Sequence, residues 1–374
     1  MNLVVIGTRG IPYIMGGVET HCEELFPRIV EKGINVTVFR RKNYVHDNLT
    51  KWNGVKLIDI KTPKKKSFES IIHTFKAILK AKAIKADIVH IHAIGPALLV
   101  PIARLLGMKV VFTHHGMDYD RDKWGRIAKI MLKLGECMGT LFANEVIVIS
   151  KVIYDLLVRK YGRKDCHLIY NGVPQPEICE CLDYFEELGV KKKEYILCTC
   201  RFVPEKNLHH LIEAYVSLRE SKTISSNMKL VLAGDTDFED NYSLRLKEMA
   251  RKNGIVLTGF IKGDKLHSLL TNACCYCLPS SHEGLPIALL EAMSYRLPVV
   301  VSNIPANMEI GLNENSYFPC GDIEQLIKKL GVIASQPLQR VTYDIRKYDW
   351  DYIALQVKNV YDKLMPCDFD ATNK

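Results

Sequence analysis

The chain has 374 residues, of which 48 % are hydrophobic, 25 % charged and 9 % aromatic, with a net charge of +9; this globular balance excludes wholesale disorder and fibrous repeats. Its length is two to three times the roughly 150 residues of a usual domain, which excludes a single small module and predicts two domains. Twelve cysteines spread over that length, behind an opening MNLVVIG with no basic n-region or cleavage site, predict reduced thiols and a cytosolic address, and the best apolar run, from Ala97 to Leu106, is broken by Pro101 and Arg104, well short of the roughly 20 residues that cross a bilayer.

Short β-rich apolar runs alternate with helical segments. Strands are expected at residues 3–6, 36–39, 88–91, 110–113 and 146–149, and the rhythm resumes at 195–199, 229–233, 255–257, 274–278 and 298–301. Strands alternating with helices predict two doubly wound parallel sheets, an α/β architecture. Asn171-Gly172-Val173-Pro174-Gln175-Pro176 separates the two series; neither a helix nor a central strand tolerates it, so a linker is expected there. Trp350 to Leu364 reads as an amphipathic helix and 366–374 as a frayed polar end. The expected organisation is 1–170 and 171–349 as two Rossmann-like domains, with 350–365 a helix returning to the first.

The positive charge belongs to the first half: 28 Lys/Arg against 17 Asp/Glu up to Glu180, a net +11, and 23 against 25 beyond it. Such asymmetry suits nucleic acid, an anionic membrane or a phosphorylated substrate. The densest stretch runs from Lys61 to Lys85, where Phe68, Ile71, Ile72, Phe75, Ile78 and Leu79 form a helical stripe beside Lys76, Lys80, Lys82 and Lys85. That helix either lies on an anionic lipid surface or packs on a sheet with a solvated lysine face.

Ligands of doubly wound sheets bind at the C-terminal ends of strands, so the residues just after strands carry the functional reading. Gly7-Thr8-Arg9-Gly10 and then Gly16-Gly17 follow the first strand at a helix entrance, a place where backbone N–H groups meet an anion, or else a plain tight turn. The spacing is not G-x-G-x-x-G, and Arg40, Arg41 and Lys42 follow Phe39 where a dinucleotide enzyme has an acid, which disfavours nicotinamide chemistry. Thr113-His114-His115-Gly116 follows another strand; adjacent residues of an extended chain point to opposite sides, so only one histidine is expected toward the ligand and both cannot readily grip one metal ion, while a satisfied structural histidine is the commoner alternative.

In the second half, Arg201 and Lys206 follow the strand at 195–199 and suit a diphosphate, whose developing charge they would offset; a surface charge pair is the alternative. Pro279-Ser280-Ser281-His282-Glu283-Gly284-Leu285-Pro286 leads into a helix with Pro286 expected in its first turn and Glu291 two turns inside, about 12 Å from Glu283 at about 1.5 Å per residue. That separation excludes the carboxylate pair of a retaining hydrolase, which needs about 5 Å, and suits two distant hydroxyl groups of one elongated ligand such as a nucleotide-sugar. Cys274-Cys275-Tyr276-Cys277 contains a C-x-x-C spacing, but it lies in an apolar run without a second pair, so structural thiols are expected rather than zinc.

Together, Gly16-Gly17, His115-Gly116, Asn171-Gly172-Val173, Arg201 with Lys206, and the span Glu283 to Glu291 as an E-x7-E element resemble the retaining glycosyltransferases of family 4, which have the GT-B fold of two facing Rossmann-like domains. GTRGIPYIMGGVET and THHGMDYDRDKWGR are similar to its polysaccharide-building, rhamnosyltransferase-like subset. The resemblance implies donor-diphosphate binding by Arg201 and Lys206, ribose binding by Glu291, and contact of Glu283 and His115 with the transferred sugar. It further implies a donor site lined by Gly16, Gly17, Gly284 and Leu285, an acceptor side in the first domain, and no metal or cofactor. Arg296 stands where the family commonly has glycine.

The activity implied is transfer of a hexose-type sugar from a nucleoside-diphosphate sugar to a saccharide acceptor, lipid-linked, at the cytoplasmic face of the membrane. An epimerase or phosphorylase of the same plan is the alternative. A nucleic-acid-binding protein is a distant one, unsupported by any helix-turn-helix or aromatic RNA motif.

Overall fold

A computed structural model of the chain describes residues 1–63, 66–121, 124–179, 181–336 and 339–365. The tail expected at 366–374, with Lys64 and Lys65 of the basic segment, lies outside the described residues. Two compact units are present: Met1–Gly172 with the segment that returns at Tyr348, and Val173–Lys347.

The first unit is built on β1 (Asn2–Ile6), β2 (Asn35–Arg41), β3 (Lys51–Trp52), β4 (Val55–Ile60), β5 (Ile88–His92), β6 (Lys109–His114), β7 (Glu145–Val148) and β8 (His167–Leu168). They form one sheet in the order β3-β4-β2-β1-β5-β6-β7-β8. All neighbours are parallel except the β3–β4 hairpin. Strands covered on both faces need apolar residues throughout; β5 is buried at every position. The helix Trp350–Leu364, capped by the Asp349 side chain accepting from the Tyr352 N–H, puts Trp350, Ile353, Val357 and Tyr361 into the same core as Leu3, Phe26 and Ile29.

The second unit carries β9 (Tyr195–Thr199), β10 (Lys229–Ala233), β11 (Val256–Gly259), β12 (Cys275–Leu278), β13 (Val299–Ser302) and β14 (Tyr317–Phe318), ordered β11-β10-β9-β12-β13-β14 and parallel throughout. Cys275 and Cys277 are fully buried in β12, and the described cysteines are free thiols.

One expectation needs correction. No strand is expected from the sequence between Phe39 and Ile88, where the β3–β4 hairpin sits, or at β8 or β14; three of these four strands are only two residues long, too short for any period to register. Of the stripe in the helix Lys66–Ala83, expected to face either lipid or the sheet, the Phe68 side chain lies outside the described residues and Ile71 and Ile72 are half-buried. Ile78 is buried beside His73, Thr74, Ala77 and Ala81, whereas Phe75 and Leu79 are exposed. Arg41 at the end of β2 bonds Glu69 and Ser70, which holds these two polar residues inward, and the alanines let the helix sit close to the sheet.

Candidate active site

In a doubly wound sheet the ligand crevice opens where the strand order reverses. In the second unit that point lies between β9 and β12. β9 leads into Arg201 and Lys206, and β12 into Glu283, so the switch point brings together residues that are 77 positions apart for Lys206 and Glu283. The two loops are pinned: the Ser281 N–H donates to the Glu205 carbonyl at 2.9 Å, and the Asn207 amide to the Pro279 carbonyl at 3.2 Å. Asn207 holds the turn in a left-handed conformation at φ 48°, which asparagine tolerates better than most side chains.

Within this frame the Lys206 ammonium lies 2.5 Å from the Glu283 carboxylate, both side chains largely buried. The Arg201 guanidinium is 3.8 Å from Asp237. Leu285 is buried, and Gly284 lies in the bend before the helix Ile287–Ser294. Pro286 is the N-cap of that helix rather than part of its first turn; its carbonyl accepts from the Leu289 and Leu290 N–H groups. Glu291 is therefore only the fifth helical residue, about one turn inside, and the expected two-turn rise between the carboxylates does not apply, because residues 283–286 are not helical. The first-turn N–H groups of such a helix have no intrahelical partner and are available to an anion.

Just past the C-cap Tyr295 of that helix, Arg296 adopts φ 61°. This is the left-handed geometry that favours glycine. Its guanidinium bonds Thr342 at 3.0 Å and its carbonyl accepts from the Val341 N–H at 2.8 Å, so the departure from glycine is accommodated locally.

In the first unit the reversal lies between β1 and β5. Gly7 leaves β1 at φ +105°, where an added Cβ would fall 2.1 Å from the His92 carbonyl oxygen, so only glycine lets the β1 and β5 ends meet. The two histidines that end β6 diverge. His114 is fully buried against Glu136 at 3.2 Å, and His115 turns the other way, its Nε2 2.9 Å from His92 Nδ1. His21 packs edge-on to His115 with ring centroids 4.9 Å apart and is held by Asn171 at 3.0 Å.

Burial, followed by the neighbouring histidines, pushes His92 and His115 well below the usual histidine range. Burial lowers His21 to about 4 against the opposing Asn171 hydrogen bond. All three are thus neutral at pH 7: they can direct hydrogen bonds but bring no positive charge to a phosphate. His21 and His92 were not singled out in the sequence; the signals that could have found them are His21 in the first helix after Gly16-Gly17 and the alternating His90-Ile91-His92 at the end of a fully buried strand.

Gly16 caps the helix Gly17–Glu31 at φ 145°, where a Cβ would strike Glu19 and Arg9. The Glu19 carboxylate accepts from the Arg9 backbone N–H at 2.9 Å and pairs with its guanidinium at 3.0 Å. This helix entrance already holds one carboxylate of the chain.

Among the described residues, two groups have ligand atoms close enough to hold a metal ion: His21, His92 and His115, and the mostly exposed Glu177, Asp264 and His267. Cys274 and Cys277 belong to neither.

The model for Glycosyltransferase Family 4 matches residues 15–175, and that for Glycosyl transferases group 1 matches residues 183–348. An uncharacterized glycosyltransferase of Methanocaldococcus jannaschii is 24 % identical over 96 % of this chain and 98 % of its own length. The UDP-Gal:alpha-D-GlcNAc-diphosphoundecaprenol alpha-1,3-galactosyltransferase of Escherichia coli is 29 % identical over 71 % of this chain and 70 % of its own. Among solved structures, sucrose-phosphate synthase from Thermosynechococcus elongatus superimposes with a TM-score of 0.81 at 18 % identity, covering 97 % of this chain and 99 % of the other. Anabaena HepE in complex with UDP-glucose gives 0.74 at 17 % identity, covering 97 % and 100 %.

Proposed function

The chain belongs to glycosyltransferase family 4 and has the GT-B fold, and from that premise we propose that it moves a hexose-type sugar, with retention at the anomeric carbon, from a nucleoside-diphosphate sugar to a lipid-linked saccharide in the synthesis of an envelope polysaccharide. The observation that carries the proposal is the pairing of Lys206 with Glu283 across the β9/β12 switch point, with Arg201 on the same loop after β9. The diphosphoundecaprenol-linked acceptor named for the E. coli relative supports the acceptor class, and the UDP-glucose complex of HepE supports the donor class.

In the mechanism we propose, Arg201 and Lys206 take the diphosphate as the sugar–phosphate bond breaks, joined by N–H groups at the start of the helix Ile287–Ser294. Charge placed where it develops lowers the barrier without reorganisation at the moment of reaction. Glu291 holds the ribose hydroxyls, Glu283 the transferred sugar, and Gly284 and Leu285 line the donor. Neutral His115 directs a hydrogen bond to the sugar, while Gly16 and Gly17 serve the phosphate or acceptor side. The acceptor hydroxyl attacks on the face from which the nucleoside diphosphate leaves, and the departing phosphate takes its proton.

The Lys206–Glu283 pair means that a bound diphosphate shares an ammonium already engaged by a carboxylate. Donor binding therefore rearranges this pair rather than filling a bare cationic site. The test is a thermal-shift screen of nucleoside diphosphates, followed by transfer assays with the matching sugars and a lipid-linked acceptor. Release of free sugar phosphate or epimerised donor, without acceptor, would favour a phosphorylase or epimerase instead.

A further inference from the structure

A buried polar atom without a partner costs free energy, so a histidine inside a fold normally has both ring nitrogens engaged. His90 and His114 follow that rule. His90 bonds Tyr361 and Thr113, each at 2.6 Å. His114 bonds Glu136 at 3.2 Å and accepts from the Gly116 N–H at 3.2 Å. His21, His92 and His115 instead turn largely on one another. Among the described residues His92 has one polar partner, His115, and its Nε2 is buried with none.

The three rings come from separate elements. His21 lies in the helix Gly17–Glu31, His92 ends β5, and His115 opens the loop after β6. One nitrogen of each ring lies within 4.8 Å of those of the other two, and His92 Nδ1 is 2.9 Å from His115 Nε2. Tetrahedral coordination with bonds of about 2.0–2.1 Å sets neighbouring ligand nitrogens about 3.3 Å apart. Side-chain shifts of about 1.5 Å or less therefore close the set around an ion.

The Asn171 Oδ1 accepts from His21 Nδ1 at 3.0 Å, which leaves the lone pair of that ring on Nε2. Such an outer contact fixes the tautomer and orientation of a metal-bound histidine. Either nitrogen of His92 can serve, because one faces His115 and the other has no partner. Three imidazoles without a carboxylate suit Zn²⁺, Ni²⁺ or Cu²⁺ and not the oxygen-seeking Mg²⁺ or Ca²⁺. Three protein ligands also leave a fourth position to water. His115 is the least buried of the three, so the ion enters from its side.

We propose that His21, His92 and His115 bind one Zn²⁺ ion and that this ion inhibits transfer. Each ring gives the ion one lone pair. The proton now shared by His92 and His115 moves to a ring nitrogen turned away from the ion, and Zn²⁺ exchanges waters for three nitrogens. His115 is then held by the ion and no longer directs its hydrogen bond to the sugar. Inhibition thus rests on the role proposed above for His115, whereas binding rests on the geometry of the three rings. The cluster of Glu177, Asp264 and His267 is the competing site; it is more exposed, and His267 already lies 3.4 Å from Glu177.

The test is titration of the EDTA-stripped full chain with Co²⁺, whose visible d–d absorption is intense only in tetrahedral sites, followed by displacement with Zn²⁺. Bands that saturate at one Co²⁺ per chain and are bleached by Zn²⁺ are expected. His21→Gln, His92→Gln and His115→Gln should each weaken binding at least about ten-fold. His21 and His92 are buried, so the half-buried His115 supplies the variant least burdened by folding, and melting curves with UDP, GDP and dTDP check all three. Zn²⁺ should suppress wild-type transfer and EDTA restore it, while His21→Gln, compared with its own zinc-free rate, should lose that sensitivity. Absence of bands, or bands that the histidine variants leave unchanged, overturns the site. Bands abolished by His267→Gln give the ion to Glu177, Asp264 and His267 and overturn it too. Bands at the three histidines with transfer indifferent to Zn²⁺ would refute inhibition and the sugar contact of His115. Loss of the nucleotide response in the zinc-free wild type would refute the donor reading while leaving the ion site intact.

Discussion

Replacing Lys206 by alanine separates what this side chain does for the fold from what it does for transfer. Its ammonium sits 2.5 Å from Glu283, with the side chains 15 % and 9 % exposed. Alanine strands a largely buried carboxylate, and losing a charge-assisted hydrogen bond of this kind costs about 2 kcal/mol. Both partners are well under a third exposed, so solvent screening trims that figure without removing it. In a unit of this size 1 kcal/mol moves the melting temperature by about 2–4 °C, so the second unit should melt about 4–8 °C lower.

Turnover should fall much further, since removing one group that stabilises charge on a departing oxygen costs about 100- to 1,000-fold in kcat. Adding Glu283→Gln to the Lys206→Ala protein removes the stranded charge. The double variant should regain most of the lost melting temperature while its kcat stays low. Calorimetry and steady-state kinetics on all four proteins complete the cycle. If Lys206→Ala transfers sugar at the wild-type rate, or if kcat returns together with thermal stability, Lys206 is only the structural partner of Glu283 and its assignment to the phosphate fails.

Arg201→Ala removes the guanidinium that lies 3.8 Å from Asp237 and that we assign to the donor diphosphate. Its melting shift with saturating nucleoside diphosphate should shrink sharply, and an unchanged shift would exclude Arg201 from the donor site. Burial alone would raise Glu136, but hydrogen bonds from His114, Lys160 and Tyr161 outweigh it and hold the carboxyl at about 2, below its ordinary 4.5. The stability this group contributes is complete above the ordinary value and is lost as pH falls toward 2. Glu136→Gln should therefore flatten the acid limb of the unfolding free energy, and equal slopes in the two proteins would contradict the pairing. At Gly172 a Cβ would meet the Trp350 ring at 2.4 Å, so Gly172→Ala should destabilise the first unit by about 1–3 kcal/mol in urea unfolding; a neutral result would mean that the ring moves freely. Transfer should continue at full rate in protein stripped with EDTA. A loss restored by zinc would hand part of the chemistry to His21, His92 and His115.

Much of the fold was legible because its signals are local. The strands from Leu3 to Val301 are runs of apolar, β-branched residues bounded by glycine or charge, and their alternation with helices specifies parallel sheets. The turn at Asn171-Gly172 announced itself through residues that punctuate structure, and the structure adds the reasons: Asn171 holds His21, and Gly172 leaves room for Trp350. Arg296 was visible as a departure from glycine, and its φ of 61° explains why glycine is usual there. For the helix Lys66–Ala83 periodicity marks a stripe but not which face meets the sheet, so both orientations stayed open in the sequence; Ala77, Ala81 and the bonds from Arg41 settle that.

The amino-acid order by itself determined the class of architecture, the place of the turn between the two series of strands, and the candidates Arg201, Lys206, Glu283 and Glu291, since each depends on residues near one another along the chain. Tertiary structure alone decided that Lys206 is paired with Glu283, that His115 belongs with His21 and His92 while His114 belongs with Glu136, and that the helix Arg126–Phe142 shows its large apolar residues to solvent. The physical reason is range: propensity and period act over a few residues, whereas partners brought together by strand order and close packing are separated by tens of residues, and no local pattern encodes them.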